Sequence, residues 1–213
     1  MTLKLNGSSS GYTAIDAPAT AGSNTLVLPP NNGSANQILQ TDGSGNLTWV
    51  DKPTAGLSGA DQWRITDSYA KGANNGDVTA NWARVNDTGF IKIGTGLSES
   101  SGIFSFPETG IWWVSWILSS QPSEDSQIHM AGNFTGNNGT SWEEVALATC
   151  GFSAGSTHTG KNQGTASFLF DVTDTSNCKF KFTMTSVGGE TYAALGSSDY
   201  TMTGFTVLRL GDT

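Results

Sequence analysis

The segment Ile111-Trp-Trp-Val-Ser-Trp-Ile-Leu118 constrains the fold more than any other part of the sequence. Side chains alternate between the two faces of a β-strand. One set is therefore Ile111, Trp113, Ser115 and Ile117, and the other is Trp112, Val114, Trp116 and Leu118. Both faces are apolar, whereas a two-layer sandwich normally leaves one face of each sheet in water. The second face needs a further cover, which a neighbouring subunit or a long loop of the same chain would provide.

The region after residue 60 contains further short strand-like runs bounded by Gly, Asn and Ser. Their bounds are Phe90–Ile93, Gly102–Phe106, Gln127–Met130, Ser167–Val172, Lys179–Met184 and Gly204–Leu210. Such a series, with 27 glycines, seven tryptophans and ten phenylalanines, predicts an all-β sandwich. One signal differs, because Ser141-Trp-Glu-Glu144 has the form of a helix-capping box and predicts a single helical turn.

Residues 1–50 are predicted to form a slender segment of four short strands separated by turn formers, at Thr13–Asp16, Thr25–Leu28, Gln37–Gln40 and Leu47–Val50. They hold too few apolar residues for a core of their own. We therefore expect them to pack against copies of themselves or another surface, as an anchor. The apolar residues expected to do this are Leu3, Leu5, Ile15, Leu26, Leu28, Ile38, Leu39 and Trp49.

A linker is predicted at residues 51–60, which contain Pro53, two glycines and small residues. The predicted organisation is an anchoring segment over 1–50, this linker, and a knob domain over 61–213.

The charge pattern disfavours several partners. The net charge is −8, and the ten lysines and arginines are scattered without a basic cluster, so nucleic-acid and anionic-membrane binding are not expected. The N-terminus lacks the apolar core of a signal peptide, and no run reaches the length of a membrane span. We expect a protein made in a cytoplasm, or released by another route such as inside an assembled particle.

Cofactor and metal chemistry find little support in the sequence. Cys150 and Cys178 lack both C-x-x-C spacing and a companion histidine pattern, so two buried thiols are favoured over a zinc site, with a late disulfide left open. Asp42-Gly-Ser-Gly-Asn46 spaces oxygen ligands as calcium loops do but has Leu47 where such loops need glycine, which favours a hairpin turn. No cofactor is expected.

A serine hydrolase is a remote alternative. Gly151-Phe-Ser-Ala-Gly155 satisfies the G-x-S-x-G motif, and His158 follows closely. The motif needs a strand before Ser153 and a helix after it, whereas residues 156–160 have loop composition. His129 lies in a predicted strand, where a hydrogen-bonded imidazole is the ordinary expectation. We therefore expect no enzymatic activity.

The polar run from Gly132 to Trp142 is a candidate receptor loop for a host-surface glycan. It combines amides, which bond sugar hydroxyls, with aromatic rings, which stack on sugar faces. The candidate residues are Asn133, Phe134, Asn137, Asn138 and Trp142. The alternative is an irregular hairpin whose aromatic side chains fold back onto the sheet.

The run from Gly102 to Trp116, GIFSFPETGIWWVSW, resembles the G-x-F-x-x-P-x-x-G-x-Y strand pair of the complement-component and tumour-necrosis-factor-type jelly roll. Residues 164–172 and 199–208 are similar to that family's penultimate and closing strands. The resemblance implies a jelly roll over residues 61–210 that forms a compact homotrimer, with aromatic side chains near its axis. Tryptophans stand where the family usually has tyrosine and phenylalanine. The implied trimer-interface or core residues are Phe104, Phe106, Trp112, Trp113, Trp116 and Phe205.

The N-terminal stretches 17–29 and 38–49 resemble a segment common in fibre and appendage proteins of tailed bacteriophages, and residues 208–213 resemble the ends of small phage virion proteins. This implies a virion structural protein that binds other capsid or tail proteins through its N-terminus. Two roles stay open. One is a trimeric head or tail fibre whose knob contacts the host surface as an adhesin, and the other is a capsid decoration, or cement, protein that stabilises the shell.

Overall fold

The computed structural model describes residues 3–52, 56–71, 76–121, 127–151, 161–187 and 192–213. These residues form β-strands and no helix, which confirms the predicted all-β class. Accordingly, this described part holds no helix capable of crossing a bilayer. The chain divides into two compact units, the N-terminal unit Met1–Ala55 and the C-terminal unit Gly56–Thr213.

The N-terminal unit contains two antiparallel hairpins. Strand β1 (Leu3–Asn6) pairs with β2 (Tyr12–Ile15), and β3 (Gln37–Thr41) pairs with β4 (Leu47–Asp51). Three of the predicted segments are thus strands within one residue of their expected bounds, and β1 is an additional strand.

The predicted strand Thr25–Leu28 is wrong. Only Val27 forms a bridge, with Asn46, through the bonds Val27 N–H to Gly45 O (2.8 Å) and Leu47 N–H to Val27 O (2.8 Å). The physical reason is the Pro29-Pro30 pair that follows, because proline has no N–H to donate and cannot extend a ladder.

The C-terminal unit is a sandwich of two antiparallel sheets. The seven-stranded sheet contains β5 (Gly59–Ile65), β6 (Tyr69–Lys71), β8 (Trp82–Arg84), β11 (Gly110–Ser120), β14 (Asn162–Val172), β16 (Tyr192–Ala194) and β17 (Gly204–Gly211). The six-stranded sheet contains β7 (Gly76–Asp77), β9 (Ser98–Ser100), β10 (Ile103–Ser105), β12 (Gln127–Thr135), β13 (Glu143–Gly151) and β15 (Lys179–Val187).

The strand order is that of a jelly roll. The long strands of one sheet run β14-β11-β17-β5 and those of the other run β13-β12-β15-β10, so most neighbours are distant in sequence. Consecutive strands such as β10 and β11, or β14 and β15, lie in different sheets. This crossing between two layers confirms the predicted jelly-roll sandwich.

The core between the sheets is mainly aromatic. Phe104 is fully buried, and its ring centroid lies 4.7 Å from that of Phe205, 5.1 Å from Phe180 and 5.3 Å from Trp82. These separations are those of favourable edge-on and offset ring pairs. The unit therefore closes a core within a single chain.

The two sheets approach closely where the Trp116 ring of β11 packs against Gly132 of β12. A Cβ placed at Gly132 would lie 2.7 Å from the Trp116 ring, so a glycine is required there. The Trp116 indole N–H donates to the Met130 carbonyl at 3.0 Å, which satisfies its single polar atom inside the core.

Two further local predictions are wrong. Phe90–Ile93 is not a strand, because only Ile93 bridges to Ala60 while the Ile91 side chain is 80% exposed. The capping-box segment Ser141–Glu144 does not start a helix. Strand β13 begins at Glu143 and pairs with β12 over nearly its whole length, and this pairing outweighs a weak local preference.

Two of the arginine–aspartate pairs in the C-terminal unit have a buried member, Asp61 in one and Arg64 in the other. The buried Asp61 carboxylate accepts from Arg84 Nε at 2.9 Å, from the Trp63 indole at 3.0 Å and from the Leu97 N–H at 2.9 Å. These three groups are all hydrogen-bond donors, which a buried ionised carboxylate needs.

The second pair joins Arg64 to Asp87, at 2.6 Å between Arg64 Nη1 and Asp87 Oδ2. Arg64 is buried and also donates to the Ser198 carbonyl, so it fastens residues 87 and 198 onto the end of the seven-stranded sheet.

Candidate functional site

The two faces of β11 have different surroundings. Trp112, Val114, Trp116 and Leu118 are all at most 2% exposed and face the six-stranded sheet. The alternate set, Ile111, Trp113, Ser115 and Ile117, is only partly covered. One apolar face of this strand is thus closed by the chain's own second layer, and the other is not.

The uncovered face carries an apolar row across four strands, which we call the outer row. Trp113 lies opposite Leu169 of β14 on one side and Leu208 of β17 on the other, and Leu208 lies opposite Ala60 of β5. Leu169 is 55% exposed. Cross-strand neighbours are about 5 Å apart, so the row is about 15 Å long. Such a contiguous apolar patch is typical of a contact surface.

The interface or core residues implied by the family resemblance occupy both environments. Five of them lie in the core: Phe104, Phe106, Trp112, Trp116 and Phe205. Trp113 lies in the outer row. Its partners Leu169 and Leu208 were missed by sequence reasoning, because only the strand register brings them beside Trp113.

The candidate receptor loop uses most of its polar groups internally. The side-chain oxygen Oδ1 of Asn137 accepts from the Thr135 hydroxyl at 2.7 Å and from the Ser141 N–H at 3.0 Å, and its side-chain nitrogen Nδ2 donates to the Ser141 hydroxyl at 2.8 Å. Asn138 accepts from Lys179, and Asn133 donates to the Thr183 hydroxyl at 3.0 Å.

The two aromatic residues of that loop are separated. Phe134 is 4% exposed, with its ring 4.5 Å from that of Phe170. Trp142 is half-buried, and the Lys181 ammonium lies 4.5 Å from its ring centroid. The structure therefore does not bring the five candidate residues together on one open surface.

The N-terminal unit leaves most of its candidate anchoring residues exposed. Those with at least 44% exposure are Leu3, Leu5, Ile15, Leu26, Leu28, Ile38 and Leu39. Leu3 lies opposite Ile15 in the first hairpin, and on the other face of that hairpin the Lys4 ammonium lies 4.5 Å from the Tyr12 ring centroid. Trp49 is partly covered, and its indole donates to the Asn31 carbonyl at 2.9 Å.

The cysteines and the histidine considered above for metal binding or catalysis are placed as follows. Cys150 and Cys178 are free buried thiols, and burial raises the pKa of the Cys150 thiol. His129 shares a hydrogen bond with the Thr149 hydroxyl at 2.9 Å. Ser153 and His158 lie outside the described residues. Within the described ranges, no three His, Cys, Asp or Glu side chains are grouped so as to hold a metal ion.

Asp42 shapes a hairpin turn between β3 and β4. Its carboxylate accepts from the Asn46 amide at 2.6 Å and from the Ser44 N–H at 2.7 Å. The hydrogen bond from the Asn46 side chain, with those from nearby backbone N–H groups, lowers the pKa of Asp42. Both carboxylate oxygens of Asp42 therefore accept hydrogen bonds from within the turn.

No protein-family model matches the sequence, and no curated protein matches it. Solved structures do match. The Eiger TNF structure from S. frugiperda is 9% identical over 72% of this chain and 93% of its own length, with a TM-score of 0.53. The structure of murine APRIL at pH 5.0 is 12% identical over 71% of this chain and 98% of its own length, with a TM-score of 0.52. The PRD1 vertex protein P5 is 14% identical over 74% of this chain and 100% of its own length, with a TM-score of 0.42. This likeness is too weak to support an argument. The chain therefore shares the jelly-roll fold of the first two structures.

Proposed function

We propose that this protein is a non-enzymatic structural protein of a phage particle, which trimerises through its C-terminal unit and attaches to the particle through its N-terminal unit. The observation that carries the proposal is the outer row. It is a second apolar face on a strand whose first face is already buried, and three copies related by rotation would cover it. The trimer implied by the sequence resemblance supports this use of the face.

Attachment through the N-terminal unit rests on its exposed apolar side chains. Two-stranded hairpins are at best marginally stable alone in water, so these side chains need an external surface. The resemblance of residues 17–49 to phage appendage segments supports a virion protein as that surface.

The C-terminal unit would then act as the knob that meets the host surface. A trimer presents each weak contact three times, and the high effective concentration of the second and third contacts raises the overall affinity. No enzymatic step is needed for this role.

Native mass spectrometry and sedimentation of the full chain test the trimer. We expect a trimeric mass for the unaltered protein and a monomer for Trp113→Lys, because a charge in the middle of the outer row would have to be desolvated. The matched control is Thr185→Lys, on the outward face of the six-stranded sheet, and it should stay trimeric. A monomeric unaltered protein, or a trimeric Trp113→Lys variant, would refute this interface.

Particles that lack the protein test the role. Lost adsorption to the host with an intact shell supports the appendage. Normal adsorption with a shell that breaks at lower temperature would instead identify a decoration protein, the alternative that the short N-terminal unit favours. Restoring the protein with Leu3 and Leu5 both changed to serine should leave particles without the knob.

A further inference from the structure

We infer that the C-terminal unit binds an acidic saccharide in a groove at one end of the seven-stranded sheet. The groove has a volume of about 490 Å³. The residues that line it are Ser119, Lys161, Asn162, Gln163, Tyr200, Thr201 and Met202. This inference deepens the proposed role in host contact and rests on it.

The groove is remote from the point where the chain enters the unit. Gly56 lies three residues before β5, whose first residue Gly59 pairs with Arg209, at the end of the sheet that also holds Gly110 and Gly211. Ser119, by contrast, is near the opposite end of β11.

The groove is also separate from the outer row. Six residues of extended strand separate Trp113 from Ser119, which is about 20 Å. The groove therefore lies beyond the outer row on the same face of the sheet, since Trp113 and Ser119 occupy alternate positions of β11. The candidate receptor loop lies at the other end, because Asn138 donates its N–H to Asn177 just beyond β14, where Val172 pairs with Gly110.

Ser119 provides a hydrogen-bonding group with no internal use. The residue is 1% exposed, and its hydroxyl finds no hydrogen-bond partner among the described residues. Its backbone is fully engaged, since its N–H donates to the Thr203 hydroxyl at 3.1 Å and its carbonyl accepts from the Leu195 N–H at 2.8 Å. Buried hydroxyls are normally paired, so this unpaired hydroxyl beside the groove is a candidate partner for a ligand group.

The wall formed by residues 195–203 is held in place. The Ser197 N–H donates to the Ile65 carbonyl at 3.0 Å, and the Ile65 N–H donates to the Thr203 carbonyl at 2.9 Å. This wall carries the Tyr200 ring, which is 57% exposed. An exposed aromatic ring on a backbone anchored at both ends is suited to stacking against the C–H face of a sugar.

The opposite wall is polar and locally positive. Gln163 lies directly across from Ser119 in the β11–β14 pairing, and its side chain is exposed. Lys161 is exposed, and in the described parts of the chain no carboxylate pairs with it. In a chain of net charge −8, this ammonium beside amides and hydroxyls favours a sugar that carries a carboxylate or a phosphate.

Binding of three probes to the full chain, measured by titration calorimetry, tests the inference. The probes are a galacturonic acid trisaccharide, mannose 6-phosphate and neutral galactotriose. We expect at least one acidic probe to bind at least tenfold more tightly than galactotriose, and which of the two binds distinguishes carboxylate from phosphate recognition. No binding of either acidic probe at millimolar concentration, or equal binding of all three, would refute the inference.

Variants locate the site. Tyr200→Ala should weaken the acidic probe at least tenfold, and Lys161→Gln should remove the preference for acidic over neutral sugar. The matched control, Trp142→Ala in the candidate receptor loop, should bind as the unaltered protein does. Affinity that survives both groove variants, or that is lost only in Trp142→Ala, places the ligand elsewhere and refutes the groove.

Ser119→Ala separates binding from folding. We expect its melting temperature to stay equal or rise, because an unpaired buried hydroxyl is removed, while affinity for the acidic probe falls. Unchanged affinity would show that this hydroxyl has no ligand role and contradict the inference. Native mass is recorded on each sample, so loss of the trimer counts against the proposed function, while loss of sugar binding by an intact trimer counts against this site alone.

Discussion

The two units are built from the same element, the short antiparallel strand, but they differ in what covers the strands. In the C-terminal unit two sheets face each other, and large side chains such as Phe104, Trp112 and Trp116 are at most 2% exposed. In the N-terminal unit Leu3, which lies in a two-stranded sheet, is 59% exposed. A two-stranded hairpin is too narrow to bury an apolar side chain, whereas two broad sheets packed face to face can bury many.

This difference shows that the alternation of apolar and polar residues predicts a strand, but not whether other parts of the chain bury its apolar side chains. The C-terminal unit covers its own strands and keeps a separate apolar surface, the outer row. The N-terminal unit has apolar side chains without an interior. The C-terminal unit therefore has a hydrophobic core of its own, whereas the N-terminal unit leaves its apolar side chains exposed.

The largest expected effect separates the units by their cores. Phe104→Ala removes a fully buried ring that contacts Phe205 and Phe180, and it should lower the free energy of unfolding by about 3–5 kcal/mol. Leu39→Ala, at a residue 45% exposed in the N-terminal unit, should change it by less than about 0.5 kcal/mol. Denaturant unfolding of the full chain measures both. Equal losses would break the distinction between the units.

A smaller effect is expected from the buried carboxylate. Asp61→Asn weakens the charge-assisted bonds from Arg84 and should cost about 1.5–3 kcal/mol. The control is Asp77→Asn, which breaks an ion pair with Lys181 in which the aspartate side chain is 42% exposed and should cost below about 1 kcal/mol. Thermal unfolding at neutral pH compares the two. A larger loss for Asp77→Asn would contradict the assignment of Asp61 to the interior.

The smallest effect appears only in acid. The hydrogen bond from Arg64 lowers the pKa of Asp87 below its ordinary value of 3.8. Its contribution to stability is therefore present above pH 3.8 and is lost as the pH falls through the lower pKa of the folded state. We expect the melting-temperature difference between the unaltered protein and Asp87→Asn to shrink in that range. A difference independent of pH, or the same trend in an Asp16→Asn control, would argue against the Arg64 bond as its cause.

Most long strands of the C-terminal unit could be predicted, because their alternation extends over several residues. Lys179–Met184 and Gly204–Leu210 lie within observed strands whose buried side chains recur at every second position. Local signals failed where distant pairing decides. Ser141–Glu144 has the side chains of a helix cap, but β13 pairs with β12 instead. The residues near Ser141 in the sequence do not reveal this pairing.

The candidate surfaces were predictable only in part. Alternation along β11 indicates that Trp113 faces away from Trp112, but it cannot place Leu169 beside Trp113, since 55 residues of intervening chain must first fold. The groove beyond Ser119 was not predictable. Its walls come from residues 161–163 and 200–202, and the unpaired state of one serine hydroxyl depends on the positions of all its neighbours.

Strand β11 has one buried face and one partly covered face, and mutation can alter the two separately. Trp112 and Trp116 are constrained by the interior, where a change of one methylene is felt. Trp113 lies on the other face of the strand, outside that packing, so substitutions there can change the proposed contact between copies while the jelly roll persists. The outer face of β11 can therefore vary in sequence without any change to the core behind it.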